Sequence, residues 1–403
     1  KEASRYSSFT FSRHDIMKIV EIPSFFTPYG GEFCLEQSRA LAALGHDVTI
    51  IANVQLSIKR SLIRYLFNDT SRKVVLSDRV KIIRNEMRGM PLAVRHNFKQ
   101  WVKTVEKMFA DYVIMYGKPD IIHAHCAKWA GFTADILSRK YNVPFVITEH
   151  LPSMILREEL GEDGKGHWQT PLLKQTYMNA DIVIPVAEEL VDDISVYFGK
   201  DYKWKSISNV IDTDFYSYKR RDFSRRPFRF CCLAMYIPRK GYDVLFDAFD
   251  RLSKRCKDVE LHIAGRYTDD KKCLDDRSKM LFGQNVFLYG ELDKHLVRRL
   301  IHRCDCLVLA SRSEAQPLVL LEAMSTGIPF IATECTPKSE RINKGCHIVP
   351  IDDAEALAEK MFEVCSNYNY DGKSLRQDIV NLASPKAVGK KLESLFKDII
   401  SMK

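Results

Sequence analysis

The sequence is poor in the features that mark membrane-spanning, secreted and zinc-binding proteins. No apolar run approaches the roughly 18 residues that a spanning helix needs. Residues 1–16 contain no apolar core of the kind found in signal peptides. The 11 cysteines are odd in number and scattered, and none forms a Cys-x-x-Cys pair. We therefore expect no spanning helix, no zinc or disulfide framework, and a reducing, cytoplasmic environment.

The composition is that of a soluble globular chain. Its 403 residues are 46% hydrophobic and 28% charged, which leaves room for two or three domains. The net charge of +9 would suit nucleic acid, an anionic membrane surface or phosphorylated ligands, but it is also ordinary for a basic protein of this length. Because no patch alternates aromatic platforms with basic residues, we predict no nucleic-acid partner.

Strand patterns alternate with helix patterns along almost the whole chain. The predicted strands of the first half span 17–25, 47–53, 80–84, 120–125, 144–150, 181–187 and 205–210, and those of the second half span 229–236, 259–265, 285–290, 306–310, 328–334 and 346–350. Such alternation is typical of parallel sheets with helices on both faces. We predict an α/β protein with two doubly wound, Rossmann-like domains.

The predicted domain boundaries follow from this pattern. Residues 1–16 form a polar, disordered leader, 17–216 form the first domain, 217–228 form an arginine-rich linker, 229–383 form the second domain, and 384–403 form a last helix that stands apart from any strand.

The stretch SRSEAQPLVLLEAMSTGIPFIATE (311–334) has the most unusual chemistry. It follows an apolar strand, turns through a polar loop, and enters a helix with Pro317 predicted as its first residue and Gly327 at its exit. Glu322 lies inside this apolar helix, and Glu314 lies eight positions upstream in the loop. A carboxylate buried in such a helix needs hydrogen-bond donors, so we expect a ligand or a structural partner beside Glu322.

Further polar residues collect at the predicted carboxyl ends of strands, where ligands bind in parallel α/β sheets. They are Gly30 and Gly31 after the first strand, His125 and His150 at the ends of two others, Asn209 at the close of the first half, and Arg239 and Lys240 after the first strand of the second half. Each also has an ordinary structural explanation. On two domains facing each other across a cleft, they suit a nucleotide diphosphate, with cations and helix N-termini at its phosphates and carboxylates at its hydroxyls.

We predict no metal ion at this cleft. The aspartate pairs 269–270 and 352–353 each precede a helix pattern, where aspartate is typical of a cap. Lysine, arginine and backbone N–H groups would then neutralise the diphosphate.

Two segments of the first half, 57–67 and 87–109, are basic and amphipathic. They would suit an anionic membrane surface. The commoner alternative, which we favour, is that each packs its apolar stripe on the core of its own domain.

The central stretch resembles the Glu-x7-Glu motif of glycosyltransferase family 4 (glycosyl transferases group 1), which has the GT-B fold. Six further segments resemble family motifs in the family's order: MKIVEIPSFFTPYGGEFCLEQSRALAALGHDVTIIA, PDIIHAH, VPFVITEH, ADIVIPVAEEL, ISNVIDTDFY and PRKGYDVLFDAF. The resemblance runs over nearly the whole chain from Met17 and implies a metal-independent, retaining glycosyltransferase without a cofactor. Its donor would be a UDP- or GDP-linked sugar, and its last helix would cross back to the first domain.

The resemblance also implies roles for individual residues. In the second domain, Glu322 would hold the ribose, Glu314 would act on the sugar, and Lys240 would neutralise the diphosphate. The donor-binding backbone would run through Ala315, Gln316, Pro317 and Leu318. From the first domain, Gly31 would close over the phosphates and His125 would be the catalytic group facing the sugar. Gly30 would contact the donor together with Gly31. A glycan or lipid-linked acceptor would bind the face of the first domain near Gly30, His125 and His150, with Asn209 as a further acceptor-side candidate.

The sequence departs from the family pattern around the phosphates. Ala234 and Met235 stand where the family usually has Gly-Arg, and Arg239 is the candidate replacement for the missing cation. Ala315 stands in place of the usual glycine after Glu314, and the later turn CTPKSE keeps its glutamate, Glu340, without the glycines.

Bacterial cell-surface polysaccharide synthesis, in the cytoplasm or on the inner face of the membrane, is the setting that the resemblance implies. Two alternatives stay open: a sugar-nucleotide 2-epimerase of the same fold, and a non-catalytic sugar-nucleotide-binding subunit, which the change at Met235 favours.

Overall fold

The structure is a computed structural model that describes residues 16–27, 30–58, 61–222, 226–266, 285–368 and 370–403. The predicted leader, apart from Ile16, lies outside these ranges, as does the aspartate pair 269–270. Within the described residues, no helix combines the length and apolar character that crossing a bilayer requires.

The first sheet has seven strands. They are β1 (Lys18–Pro23), β2 (Asp47–Leu56), β3 (Lys73–Ser77), β4 (Val80–Arg88), β5 (Ile121–His125), β6 (Phe145–Glu149) and β7 (Ile182–Pro185), in the spatial order β3-β4-β2-β1-β5-β6-β7. All neighbours are parallel except β3, which pairs antiparallel with β4 at the edge. Ile19 on β1 is in register with Val48 on one side and with Ile121 on the other.

The second sheet has six strands, all parallel to their neighbours. They are β8 (Phe228–Leu233), β9 (Val259–Ala264), β10 (Val286–Leu288), β11 (Cys306–Leu309), β12 (Phe330–Thr333) and β13 (Cys346–Val349), in the order β10-β9-β8-β11-β12-β13. The central strands of both sheets are buried along almost their whole length, since helices cover both faces of a parallel sheet.

The helices lie between and after these strands. They are α1 (Glu32–Ala43), α2 (Leu62–Phe67), α3 (Val94–Tyr116), α4 (Phe132–Tyr141), α5 (Ser153–Leu160), α6 (Thr170–Asn179), α7 (Glu189–Phe198), α8 (Tyr242–Arg255), α9 (Lys294–Arg303), α10 (Leu318–Thr326), α11 (Ala354–Ser366), α12 (Gly372–Ala383) and α13 (Pro385–Ser401). The predicted fold class, two Rossmann-like α/β units, is confirmed.

The last helix, α13, packs against the first sheet's helix α1, far from it in sequence. Val388, Leu392 and Phe396 of α13 are fully buried in the same apolar cluster as β1 and β2. The Phe396 ring meets the imidazole of His123 edge to face, with centroids 5.3 Å apart. The chain's last helix therefore ties its end to the first unit.

Three local predictions need correction. Residues 205–210 form no strand, because only Trp204 makes an isolated bridge, to Val183. Strand β3 was not predicted; as an edge strand it is exposed on both faces and lacks the alternation that marks a half-buried strand. Pro317 is the N-cap of α10, and the helix begins at Leu318.

Replacing Phe396 tests the attachment of α13. Phe396→Ala should lower the free energy of unfolding of the first unit by about 3–5 kcal/mol, because it leaves a cavity in a fully buried cluster. All four tryptophans, Trp101, Trp129, Trp168 and Trp204, lie in the first unit, so their fluorescence during urea unfolding reports that unit. Met402→Ala, at an exposed position of the same terminus, should change stability by less than about 0.5 kcal/mol. Equal effects of the two changes would contradict the docking of α13.

Candidate functional site

Glu314 is the centre of a charge cluster at the carboxyl end of the second sheet. Its carboxylate is 6% exposed and lies 2.5 Å from the ammonium of Lys240. The Ser311 hydroxyl donates to the same oxygen over 2.6 Å. The Arg239 guanidinium lies 3.7 Å from the other oxygen and donates to the Ser313 carbonyl. The negative charge of Glu314 is therefore balanced, and two cations, Arg239 and Lys240, lie side by side at this loop.

A tight turn brings Lys240 to Glu314. Residues Pro238–Lys240 form a short 3-10 turn after β8, and Gly241 follows at a φ of 63°. A Cβ at Gly241 would lie 1.9 Å from the Ala310 carbonyl oxygen, so only glycine lets this turn approach the end of β11. The 74-residue separation between Lys240 and Glu314 is closed because β8 and β11 are neighbours in the sheet.

The N-terminus of α10 opens beside this cluster. Pro317 caps the helix without a side-chain hydrogen bond, so the first N–H groups of α10 have no side-chain cap. The Gln316 side chain is used differently: its oxygen accepts from the Asn209 N–H over 2.8 Å, and its nitrogen donates to the Ser208 hydroxyl over 3.0 Å. Asn209, predicted on the acceptor side, thus contacts the loop predicted to bind the donor.

Glu322 is half-buried one helical turn further along α10. Burial raises the pKa of its carboxyl to about 7, against the opposing effect of a hydrogen bond with the Tyr216 hydroxyl. The expected hydrogen-bond partner of this carboxyl group is, in the structure, the hydroxyl of Tyr216. The group is poised between its charged and neutral forms near neutral pH.

Glu340, the glutamate of the CTPKSE turn, is a third carboxyl group in the second unit. It is fully buried in the 3-10 turn Lys338–Glu340. Burial, reinforced by the negative charge of Glu314, raises its pKa well above the ordinary value, while a hydrogen bond with Gln316 opposes this. Burial and the nearby carboxylate of Glu314 therefore both favour the neutral form of Glu340.

On the first sheet, the loop after β1 presents Gly31 at the start of α1. Gly30 and Gly31 have φ values of 95° and 85°. A Cβ on Gly31 would lie 2.2 Å from the Phe25 carbonyl oxygen, so the close approach of this loop to the helix start requires glycine. Gly31 is the N-cap of α1 and supplies no side-chain hydrogen bond, so the first N–H groups of α1 have no side-chain cap.

The histidines predicted at strand ends form a buried chain with Glu21, a residue of β1. One Glu21 oxygen lies 2.8 Å from both His123 Nδ1 and His125 Nε2. His125 Nδ1 lies 3.2 Å from His150 Nε2, and His150 stacks on Phe33. His125 is only 1% exposed and uses both ring nitrogens, whereas His150 is half-buried and stands nearer to solvent.

The charges in this chain are set by burial and by neighbours. Burial opposes the ionisation of Glu21, but His123 and then His125 outweigh it and lower the pKa of Glu21 to about 2. Burial, with the charge of His123, lowers the pKa of His125 to about 4. The ligand atoms of Glu21, His123 and His125 lie within 4.8 Å of one another, so this group has the side chains and spacing to hold a metal ion. The absence of a metal from the reaction stays a prediction.

A cavity of about 420 Å³ lies between the two units. Ser153, Arg157 and Glu189 line it from the first unit, and Glu314, Cys335 and Arg341 line it from the second. Of the predicted residues, the structure brings Arg239, Lys240 and Glu314 to one place, and joins His125 to His150 in another.

Sequence reasoning missed Glu21, Tyr216 and Ser311 as members of these clusters. A charged residue in the apolar run of β1 was the available signal for Glu21. Tyr216 and Ser311 carried no signal, because their roles depend on contacts that form only in the folded chain.

Two family models match the chain. Glycosyltransferase Family 4 matches residues 30–215, and Glycosyl transferases group 1 matches residues 227–367, so that both units are covered. The chain belongs to glycosyltransferase family 4. The family resemblance inferred from the motifs is thereby confirmed.

Individual relatives of this glycosyltransferase share about a quarter of the aligned residues with it. It is 26% identical over 332 residues to the glycogen synthase of Mycobacterium tuberculosis, covering 76% of this chain and 75% of that protein. It is 25% identical over 368 residues to the teichuronic acid biosynthesis glycosyltransferase TuaC of Bacillus subtilis, covering 85% and 88%.

Solved structures show the same GT-B fold. Sucrose-phosphate synthase from Thermosynechococcus elongatus superposes with a TM-score of 0.77 at 18% identity, over 96% of this chain and 100% of that one. Anabaena HepE in complex with UDP superposes with a TM-score of 0.70 at 16% identity, over 95% and 100%.

The pKa of Glu322 predicts a pH-dependent affinity for nucleotide. As pH falls from 8 to 6, through a pKa of about 7, the carboxylate is protonated and loses acceptor capacity for ribose hydroxyls. The dissociation constant of UDP or GDP should therefore rise more steeply for the wild-type protein than for Glu322→Gln, which should also bind more weakly at pH 8. The phosphate's own titration is common to both proteins. Parallel profiles in calorimetric titrations would exclude Glu322 from ribose binding.

The Glu21 carboxylate predicts an acid-dependent stability. Its folded pKa, about 2, lies below the ordinary value of 4.5, so its stabilisation is present above pH 4.5 and is lost as pH falls toward 2. Glu21→Gln should cost about 3 kcal/mol at pH 7, and the difference from wild type should shrink in acid. Glu36→Gln, on the partly exposed surface of α1, serves as the control. A pH-independent difference would contradict an ionised Glu21.

Proposed function

We propose that this chain is a metal-independent, retaining glycosyltransferase that moves a sugar from a UDP- or GDP-linked donor to a glycan or lipid-linked acceptor. The observation that carries the proposal is the cluster of Lys240, Arg239 and Glu314 beside the N-terminus of α10, in which Glu314 lines the cavity between the units. The UDP that HepE holds in a structure of the same fold supports a nucleotide donor.

The leaving group would be stabilised by cations already in place. As the bond from the anomeric carbon to the phosphate oxygen breaks, negative charge grows on the diphosphate. Lys240, Arg239 and the N–H groups at the start of α10 would stabilise that charge, which is the largest contribution expected for such a reaction. The acceptor oxygen forms the new bond, its proton passes to the departing phosphate, and the nucleoside diphosphate leaves. Arg239, which already lies on the Glu314 loop, would supply the cation lost at Met235.

Glu314 would have to change partners when donor binds. In the free protein its carboxylate is held by Lys240 and Ser311. A hydroxyl of the donor sugar would replace the Ser311 hydroxyl and donate a hydrogen bond to this carboxylate, while the Lys240 ammonium turns toward the phosphates. From the first unit, His125 would act on the sugar through its contact with His150. Glu322 would accept hydrogen bonds from the ribose hydroxyls.

A role in bacterial cell-surface polymers, at the inner face of the membrane, is the setting we propose. Its support is the name of TuaC, a teichuronic acid glycosyltransferase, and the structural likeness to a lipopolysaccharide outer core galactosyltransferase, WaaB, with a TM-score of 0.64.

A donor panel tests the proposal. Turnover of UDP-, GDP- and ADP-sugars should be measured with and without EDTA and with and without an acceptor, by release of nucleoside diphosphate. We expect one nucleotide to be preferred and turnover to survive EDTA. Loss of turnover on chelation would contradict the metal-free mechanism. A changed sugar without nucleotide release would indicate the epimerase, and binding without any turnover would indicate the non-catalytic subunit.

Lys240→Met should lower kcat by about 10²–10³-fold, as removal of one stabilising donor does elsewhere. Lys254→Met removes an equal charge from an exposed position on α8, where it pairs with Asp250, and should leave kcat unchanged. Equal kcat values for the two variants would exclude Lys240 from the reaction.

A further inference from the structure

A second cavity, of about 350 Å³, lies wholly within the first unit at the carboxyl ends of its strands. The loop after β1 contributes Phe25, the end of β2 contributes Asn53 and Gln55, and the turn after β5 contributes Lys128 and Trp129. Trp101 of α3 closes its floor. The cavity therefore lies at the edge of the first sheet from which the loop carrying Gly31 also leaves.

The wall that carries Trp129 is held in a costly conformation. Cys126 and Trp129 both have a φ of 68°, in a tight turn that precedes α4. The Ser24 hydroxyl fastens this turn by donating to the His125 carbonyl and accepting from the Ala130 N–H. Strained non-glycine backbone is concentrated at binding sites, where it fixes a side chain in place. Here it fixes the half-buried Trp129 ring, edge to face with Trp101, at the cavity wall.

The cavity offers polar groups without offering net charge. Lys128 is paired with Glu159, and the Trp101 N–H donates to the Asn53 carbonyl over 2.7 Å. Aromatic rings beside compensated polar groups suit the apolar faces and hydroxyl edges of an uncharged sugar ring. They do not suit a phosphate or a carboxylate, which would need an unpaired cation.

The rim of the cavity continues into an exposed apolar surface. The Leu56 carbonyl accepts from the Gly89 N–H, and the Ser57 carbonyl accepts from the Ser61 N–H at the start of α2. The Arg88 guanidinium then joins the two segments by donating to the carbonyls of Tyr65 and Asn68. We call the exposed side chains of these segments the apolar rim: Ile58, Leu62, Ile63, Leu66, Phe67, Met90 and Leu92.

The side chains of the apolar rim are too exposed to belong to a core, and cations lie between them. Phe67 is 80% exposed and Leu92 is 95% exposed. The exposed cations Arg64, Arg88 and Arg95 stand in the same segments. Large apolar side chains surrounded by cations complement the acyl–headgroup boundary of an anionic bilayer. The favoured prediction for both basic amphipathic segments is that each packs on the core of its own domain. For residues 57–67 this prediction is wrong, because no side chain of α2 is buried. For residues 87–109 it is right within α3, which packs its apolar stripe on the core.

We infer that the acceptor is a lipid-linked, uncharged sugar, with its ring against Trp129 in the cavity and its chain leaving over the apolar rim into an anionic bilayer. The inference rests on the proposed transferase function and goes beyond it by assigning the acceptor site and the acceptor class. The continuous path from cavity to rim is what favours a lipid-linked acceptor over a free oligosaccharide.

Alkyl glycosides of increasing chain length test the site. Binding of methyl β-glucoside and of octyl β-glucoside, below its micelle concentration, can be followed by quenching of tryptophan fluorescence. The octyl compound should bind at least tenfold more tightly, the gain expected from burying about two methylene groups. Equal affinity for the two glycosides would overturn the proposal.

Matched surface variants locate the effect. The double variant Leu62→Ser/Phe67→Ser should lose the chain-length gain and should no longer float with phosphatidylcholine vesicles that contain phosphatidylglycerol. Ile114→Ser/Met115→Ser removes two exposed apolar side chains from the far end of α3 and should behave as wild type. Loss of flotation by both double variants, or by neither, would contradict the assignment of the rim.

Two variants test the cavity itself. Trp129→Ala should weaken the binding of both glycosides at least tenfold. Ser57→Trp, which fills the cavity from a half-buried position, should weaken both to the same extent. The second variant leaves the strained turn unchanged, so it tests the cavity even if Trp129→Ala does not fold. UDP and GDP affinities should be unchanged in every variant. Nucleotide binding without glycoside binding would overturn this inference alone, whereas failure of the wild type to bind any nucleotide would overturn the proposed function.

Discussion

The ion pair between Lys240 and Glu314 is the interaction on which the second unit's site depends. It joins two loops that leave neighbouring parallel strands, β8 and β11, and it compensates a carboxylate that is almost fully buried. Without a cation, that buried carboxylate would carry a large desolvation penalty, so the pair stabilises the loop while it holds Lys240 beside Glu314, which lines the cleft. Gly241 makes this geometry accessible, since no other residue could approach Ala310 so closely.

The environments of the buried carboxyl groups shift their pKa values in different directions. Desolvation and the nearby negative charge of Glu314 both raise the pKa of Glu340. Glu322 lies between the two extremes, with a pKa of about 7. On the first unit, Glu21 is as buried as Glu340 but stays ionised, because two imidazoles face it. Glu21 and Glu340 are equally buried, so the difference between the pKa values of these two residues is made by their neighbours.

The first unit combines a rigid interior with an unusually exposed edge. The Glu21 chain, the docked helix α13 and the aromatic cavity are all packed, whereas α2 and the segment after β4 present apolar side chains to solvent. Both features start from the same strand ends, so a group held in the cavity lies beside the exposed surface. The strand ends of the first sheet thus carry both the aromatic cavity and the exposed apolar rim.

The sequence by itself determined the strand–helix alternation, the two α/β units and the family, because buried parallel strands and glycine turns leave short, local patterns. It also placed Lys240, Arg239 and Glu314 at strand ends. It could not decide that Gln316 would bind Asn209, that Tyr216 would face Glu322, or that Glu21 would link His123 to His125. Those contacts join residues far apart in the chain, and the side-chain periodicity carries no information about them. The edge strand β3 and the apolar rim were decided by tertiary structure for a related reason: whether an amphipathic segment faces the core or solvent depends on what the fold leaves uncovered.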